Sequence, residues 1–391
     1  MLNEVVIVSA TRTPLGSFMG SLSGFSAVEL GTFALNGAIS KVNLSKDLID
    51  EIFIGHVLQA GCGQAPARQI ANKVNIKPEV PCTSVNRVCS SGLKAVTLAM
   101  QSIQLGRNDI VIAGGIESMS NTPHYMNFRN PKKYGNLTSV DGLIYDGLTD
   151  ANNGKSMGVI ADETAKQNCI SRELQDNYAL DSYNRAINAT KNRLFDEEIT
   201  AIEYLDKNGN KVILDKDEQL SKVNFNKLPK LNPVFLKNGS ITAANASPIS
   251  DGASMLILMS RKKAIELNIN PLAKIINYDD SSVSSELFTS APSISIKKLL
   301  KRSKTKINSI DLFEINEAFA MVPLLNMDIL SIERNKVNIN GGAVSLGHPL
   351  GCSGARILTT LIHCLHQNNK TNGVASICNG GGGASSIQIA I

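Results

Sequence analysis

An α/β chain made of two similar halves is the fold class that the sequence predicts, and three observations carry it. Short apolar runs alternate with helical patterns along 391 residues, as strands interleaved with crossover helices do. Short words recur in the same order at nearly constant spacing, the mark of a duplicated unit. A polar stretch in the first half has no counterpart in the second, so it reads as an insertion. Hydrophobic residues at 43% and charged residues at 19% suit large cores and show no signature of disorder.

The elements follow in chain order. Val5 to Val8 is the first buried strand, and Ile52 to Ile54, Ile110 to Ala113, Met255 to Met259, Ala273 to Ile276 and Ala375 to Cys378 are the next five. Each is a short apolar run, the reading for strands buried on both faces. Ser91 to Leu105 and Gly354 to Leu365 carry helical spacing. Asp162 to Leu194 reads as an amphipathic helix interrupted near Ser171, which is suited to cap its second part. The repeat pairs Ile52 with Phe313 at an offset of 261, Gly92 with Gly354 at 262, Val5 to Val8 with Ala273 to Ile276 at 268, and Ile112-Ala113-Gly114-Gly115 with Cys378-Asn379-Gly380-Gly381 at 266. The chain therefore divides into 1–268 and 269–391, with a loop domain inserted at about 119–248 and rich in polar words such as NFRNPKKYGN and LDKNGNK.

Composition also excludes function classes. A net charge of +5 is far from the concentrated basic stripe of a nucleic-acid binder. No apolar run reaches the ~18 residues of a membrane span. The opening MLNEVVIVSATRTP lacks the basic leader of a secretory signal and the arginine-rich look of a transit peptide, so the expected location is cytoplasmic. Seven cysteines without a Cys-x-x-Cys pair fit neither a disulfide scaffold nor a zinc site, and no metal is expected.

Four motifs carry chemistry. In NRVCSSGLKA, Cys89 sits where a strand-like segment meets a helix. It is either a buried small hydrophobe or a nucleophile whose thiolate the helix N-terminus favours. In GGAVSLGHPLGCSGAR, His348 is held between Gly347 and Pro349, in a stiff loop that can present an imidazole at a fixed point. In SICNGGGGASS, Cys378 precedes four glycines, which form either a tight turn or an N–H-lined anion nest. In EINEAF, Asn316 and Glu317 follow an apolar strand as caps or as site donors. A thiol nucleophile, an imidazole base, a second thiol and free N–H groups form a coherent set for acyl transfer through a thioester.

These words, taken together and end to end, resemble the thiolase family, most closely its biosynthetic branch of eukaryotic cytosolic type. YDGLTD, the Met157-Gly158 pair and TAANASPISDGAS also fall where that family faces coenzyme A. The resemblance implies a duplicated αβαβα layered fold with two mixed five-stranded sheets and an inserted loop domain. It implies reversible Claisen condensation of two acetyl-CoA to acetoacetyl-CoA and CoA, through an acetyl-cysteine, at the head of isoprenoid or sterol synthesis. In it Cys89 is the nucleophile, His348 its base and Cys378 the acid and base of the second step. Asn316 (through a water) and His348 hold the enolate, and the N–H groups of Cys89 and Gly380 hold the tetrahedral oxyanion. Ser247 and Ala243 line the pantetheine arm, Met157, Ala318 and Phe319 the tunnel, and Leu148 the adenine. Ser156 and Phe288 face the acyl pocket, where many members of the branch have histidine and methionine. Coenzyme A is a substrate, no metal or redox cofactor is needed, and the assembly implied is a homotetramer. Alternatives are a broad-range degradative 3-ketoacyl-CoA thiolase and a catalytically silent acyl-CoA-binding protein.

Overall fold

All six expected strands form, and most run longer than their apolar words. The computed structural model describes residues 2–129, 132–205 and 208–391. Asn130, Pro131, Asp206 and Lys207, within the two polar words quoted above, lie outside the described residues. The strands are β1 (Val5–Arg12), β2 (Glu51–Gly55), β3 (Cys82–Val85), β4 (Ile110–Ser118), β5 (Ser250–Ser260), β6 (Ala273–Ser282), β7 (Leu312–Ile315), β8 (Asn372–Asn379) and β9 (Gly383–Ala390). The principal helices are α1 (Ala27–Lys41), α2 (Pro66–Lys73), α3 (Ser91–Gln104), α4 (Met157–Gln167), α5 (Arg172–Lys191), α6 (Ala291–Ser303), α7 (Met321–Leu330) and α8 (Leu350–Gln367). The predicted break near Ser171 is real: α4 ends at Gln167, and the Ser171 hydroxyl accepts from Leu174 N to start α5.

The duplication is visible in strand order. In the first half β3 and β4 flank β2 in parallel, and β4, β5 and β1 continue antiparallel. In the second half β7 and β8 pair in parallel, and β8, β9 and β6 continue antiparallel. The expected fifth strand of this half is reduced to one bridge, Phe313 to Val337. The Asn338 side chain takes over the pairing: its Nδ2 donates to Ile315 O (2.8 Å) and its Oδ1 accepts from Ile315 N (2.9 Å). A side-chain amide thus satisfies backbone groups that a strand would otherwise pair. The two sheets also join edge to edge, Val6 opposite Lys274 and Ile7 opposite Ala273, into one ten-stranded sheet that counts the two-residue strand Gly16–Ser17.

Register corrects one repeat. Ile52 pairs with Ile112 and Phe313 with Val374. Equivalent positions are therefore Ile112 and Val374, 262 apart, and the glycines at 114–115 do not correspond to those at 380–381. Gly114 and Gly115 answer crowding, with Ser254 O and Gly351 O 2.2 and 2.0 Å from where a Cβ would stand, whereas Gly381 answers a positive φ of +80°, so the pairs looked alike in sequence without being equivalent.

Alternation along the strands sorts side chains into layers. Val6, Val8, Ile110 and Ile112 pack with α1 and α2 residues such as Leu30 and Ile70. Val5, Ile7, Val111 and Ala113 face the opposite way, onto Leu93 and Val96 of α3 and Leu358 and Leu361 of α8. Ala375 and Ile377 reach that same central layer from the second half. Val374 and Phe313 point outward to Leu299 of α6 and Met327 of α7. The result is the predicted order of helix, sheet, helix, sheet, helix, with the period of two doing the sorting.

The central layer is tight because of glycine. A Cβ on Gly92 of α3 would lie 2.8 Å from Gly351 O and from Ala355 N, and one on Gly354 of α8 would lie 2.4 Å from Leu93 N. The two equivalent helices therefore touch backbone to backbone near their N-termini. That contact brings the segments on either side of Cys89 and His348 to the middle of the molecule. The polar segment between β4 and β5 folds over this point and contributes α4 and α5.

Candidate active site

Cys89 lies at the turn between β3 and α3. Val88, just before it, has φ +47°, a conformation that β-branched residues rarely adopt and that costs about 1–3 kcal/mol. The turn is held from several sides. Arg87 N donates to Ser91 Oγ (2.8 Å), and Ser91 Oγ donates to Val88 O (2.6 Å). Arg87 Nη1 and Lys94 Nζ meet Asp280 Oδ2 of β6 at 2.7 and 2.8 Å, and Ser385 Oγ donates to Asp280 Oδ1 at 2.7 Å. The strained Cys89 turn of one half is thus fastened to the other half.

Cys378 ends β8, is 1% exposed and packs with Phe288, Ala318 and Phe319. Gly381 and Gly382 have φ of +80° and +85° and turn the chain into β9, so the four-glycine run is the tight turn. Its first member does more: the N–H groups of Gly380 and of Cys89 itself act on the Cys89 sulfur and favour its ionised form. Ser90 Oγ, at 3.2 Å from Ile377 O and 2.8 Å from Asn379 Oδ1, ties the Cys89 turn to the end of β8.

Burial pushes the Cys89 thiol up to about 11, outweighing both N–H donors. Burial and the neighbouring Cys89 raise Cys378 further. Both groups rest as neutral thiols. The expected thiolate at a helix N-terminus is not the resting state, because desolvation exceeds what that helix end supplies.

His348 N donates to Pro248 O (3.2 Å), and its ring is 6% exposed. Nδ1 is 2.6 Å from Ser353 Oγ, which donates its own hydrogen to Pro349 O at 2.8 Å. The hydroxyl therefore accepts from Nδ1–H, which assigns the tautomer and leaves Nε2 with a lone pair. Burial, helped by the Arg356 charge, lowers the imidazole to about 3, so it is a neutral base across the working pH range. Asn316 Nδ2 sits 3.5 Å from His348 Nε2. Asn316 Oδ1 has no partner among the described residues, and its backbone N donates to Ser376 O (3.0 Å), two residues before Cys378.

Glu317, read as a cap or donor, is neither. Its carboxylate accepts from Tyr178 OH, Ser182 Oγ, Asn338 Nδ2 and Val344 N, at 2.8, 2.8, 2.9 and 3.0 Å. It anchors the loop that leads to His348.

The remaining expected residues fall into two groups. Met157 flanks Gly380, its sulfur 3.6 Å from where a Cβ would stand. Ser247 N and Oγ both donate to Ala318 O (3.0 and 2.7 Å), and Phe319 stacks edge-on with Phe235 at 6.1 Å. Phe288, 2% exposed, belongs to the same apolar cluster as Cys378. Ser156 is occupied as the cap of α4, accepting from Val159 N at 3.3 Å. Leu148 packs with Leu143 and Leu350 in a cluster that Cys89 also touches, and Ala243 is exposed. Sequence reasoning missed Ser353, Asp280 and Ser90, whose partners lie 5 to 289 residues away in the chain. Ser353 alone was within reach, as the residue five after His348 on the next helix.

Among the described residues no cluster of three or more His, Cys, Asp or Glu is arranged to hold a metal ion, and no helix is long and apolar enough to cross a membrane.

Two thiols, an imidazole with a free lone pair, and N–H groups aimed at sulfur, on a duplicated five-layer frame, define an acyl-transfer site of the thiolase kind. The thiolase N-terminal domain model matches residues 5–262, and the thiolase C-terminal domain model matches 269–391. The chain belongs to the thiolase family. It is 46% identical over 390 residues to a cytosolic acetyl-CoA acetyltransferase of Gibberella zeae, covering 99% of this chain and 98% of that one. It is 48% identical over 389 residues to a mitochondrial acetyl-CoA acetyltransferase of Rattus norvegicus, covering 99% and 91%. Among solved structures, the Acat5 thiolase of Ascaris suum in complex with coenzyme A superposes with a TM-score of 0.94 at 43% identity, covering 99% of both chains.

Proposed function

We propose that this chain is an acetyl-CoA C-acetyltransferase that joins two acetyl-CoA into acetoacetyl-CoA, reversibly, through an acetyl-Cys89 intermediate. The observation that carries the reading is the half-buried Cys89 sulfur, acted on by the N–H groups of Cys89 and Gly380 and by the buried Cys378 thiol.

The proton inventory closes on these residues. Cys89 sulfur attacks the thioester carbonyl while its proton passes to His348 Nε2. The N–H groups of Cys89 and Gly380 stabilise the oxyanion. The departing CoA sulfur takes the Cys378 proton, which leaves acetyl-Cys89, a Cys378 thiolate and an imidazolium. The Cys378 thiolate then removes a methyl proton from the second acetyl-CoA. A thioester methyl is a weak acid, so the raised pKa of Cys378 makes its thiolate a matched base. Imidazolium Nε2–H and Asn316 stabilise the enolate, its carbon attacks the acetyl group, and expelled Cys89 recovers its proton from His348. Every group ends as it began.

Phe288 fills the acyl side of the site and supports a short chain, which separates this reading from a broad-range 3-ketoacyl-CoA thiolase. Ser247, Ala243, Met157, Ala318, Phe319 and Leu148 line the path of coenzyme A. The protein works in the cytoplasm as a homotetramer. The cytosolic relative supports the location, against a mitochondrial relative of similar identity, and fractionation separates the two.

Intact-mass measurement after brief mixing with acetyl-CoA tests the reading. One acetyl adduct is expected in the wild type and none in Cys89→Ala. No adduct in either, with CoA still bound, makes the chain a silent acyl-CoA binder.

A further inference from the structure

Each half holds the helix start of the other, and the residues that do so are equivalent. With the halves in register 262 residues apart, Glu117 near the end of β4 corresponds to Asn379 at the end of β8, and Cys89 corresponds to Gly351. Asn379 Oδ1 accepts from Ser90 Oγ (2.8 Å) at the start of α3. Glu117 is fully buried, and its Oε2 accepts from Gly351 N (2.8 Å) in the first turn of α8. Pro349 stands at the cap position of α8 and offers no side-chain acceptor. Without Glu117 the buried Gly351 N–H would be an orphan donor of that helix end. The same carboxylate accepts from Val57 N and Leu58 N, both at 3.2 Å, and stands 3.3 Å from His56 Nε2, so it is fixed from the β2 side as well. A Cβ on Gly351 would lie 2.5 Å from Ile116 O, so the turn sits directly against β4. His348 precedes Gly351 by three residues, and Ser353, which accepts from its Nδ1, follows by two. The turn that Glu117 holds therefore both carries the imidazole and orients it.

We propose that Glu117 is a positioning residue for His348, fixing the first turn of α8 and with it the direction of Nε2, as Asn379 fixes the Cys89 turn from the opposite half. The inference rests on the acyl-transfer reading above. Acetylation of Cys89 needs its proton to reach Nε2, a transfer that depends on alignment. Alkylation of Cys89 at high pH does not, because solvent takes the proton. The Glu117 charge also bears on the Cys89 thiol, raising it, so the test separates reach from charge. Glu117→Asp keeps the charge and withdraws the oxygens from Gly351 N. Glu117→Gln keeps the length and an oxygen for Gly351 N but loses the charge.

The measurements are single-turnover acetylation of the full chain by acetyl-CoA, read by intact mass, and alkylation of Cys89 by iodoacetamide at pH 9, read by peptide mass. Glu117→Asp is expected to acetylate about tenfold slower than wild type or worse, with alkylation within about twofold. Glu117→Gln should recover to within about threefold. The kcat for thiolysis should follow the acetylation rate, with KM within about twofold. Wild-type acetylation by Glu117→Asp overturns the proposal. So does a larger loss in Glu117→Gln than in Glu117→Asp, which would make the charge on Cys89 the operative effect. A fall in acetylation matched by an equal fall in alkylation would place the damage at the Cys89 turn or in the fold, and overturns it too. A wild type that takes no acetyl group refutes the acyl-transfer reading and this inference with it, whereas an acetylated wild type with an equally fast Glu117→Asp refutes this inference alone.

Discussion

Ser353→Ala isolates what the tautomer of His348 is worth. In the wild type, Nδ1–H donates to Ser353 Oγ at 2.6 Å, and Ser353 is fully buried. Removing the hydroxyl leaves a buried N–H without an acceptor, a cost of about 1–3 kcal/mol. That cost grows when the ring becomes imidazolium, because Nδ1–H is then a stronger donor with nowhere to donate. The loss thus falls on the states in which His348 carries the Cys89 proton. At about 1.4 kcal/mol per factor of ten, kcat for acetoacetyl-CoA thiolysis should fall ~5- to 150-fold. KM should stay within about twofold, because Ser353 touches the far side of the ring from Nε2. Steady-state thiolysis measured with varied acetoacetyl-CoA, beside a melting curve, gives both values. A kcat within twofold of wild type in a folded variant would refute the tautomer assignment. A KM effect with kcat intact would place Ser353 in substrate binding instead.

Three further outcomes follow from the same geometry. Alkylation of Cys89 by iodoacetamide should rise about tenfold per pH unit from pH 7 to 10, since its thiol sits near 11; a plateau near pH 7 would show a resting thiolate. Gly354→Ala should destabilise by several kcal/mol, on the order of other overpacked cores, because its Cβ would stand 2.4 Å from Leu93 N; an unchanged urea midpoint would mean that α3 and α8 separate freely. Glu314 is raised to about 8 by burial, with Arg356 opposing, so the native state holds a proton that the unfolded chain loses above its ordinary pKa of 4.5. Stability therefore falls as pH rises between those values, and Glu314→Gln should gain on the wild type over that window; equal urea midpoints at pH 5 and 8 for the pair would contradict the buried neutral acid.

Much of this fold could be read before the structure because apolar runs and helical spacing are local properties. Val5 to Val8 and Ala375 to Cys378 announced strands by composition alone. β9 escaped because Ser385, Ser386 and Gln388 sit in a fully paired strand, and sequence gives no sign that the two serine hydroxyls will meet Asp280 and Ser376. The second half's missing fifth strand was hidden for a related reason, since nothing local says that the Asn338 amide will stand in for a backbone. The repeated Gly92 and Gly354 were legible as words, but their purpose as a backbone contact between helices was not.

For the site, residue types and motif spacing determined by themselves which chemistry was on offer: two thiols, one imidazole in a rigid loop, and glycine-freed N–H groups. Only the tertiary structure decided the protonation states. Whether Cys89 is a thiolate depends on how much solvent the folded chain removes against the two N–H groups it supplies, and removal wins. Whether His348 is a base depends on Ser353 on one side and burial near Arg356 on the other. Desolvation and hydrogen bonding are sums over neighbours brought from distant parts of the chain, and a sequence names those neighbours without saying which of them will meet.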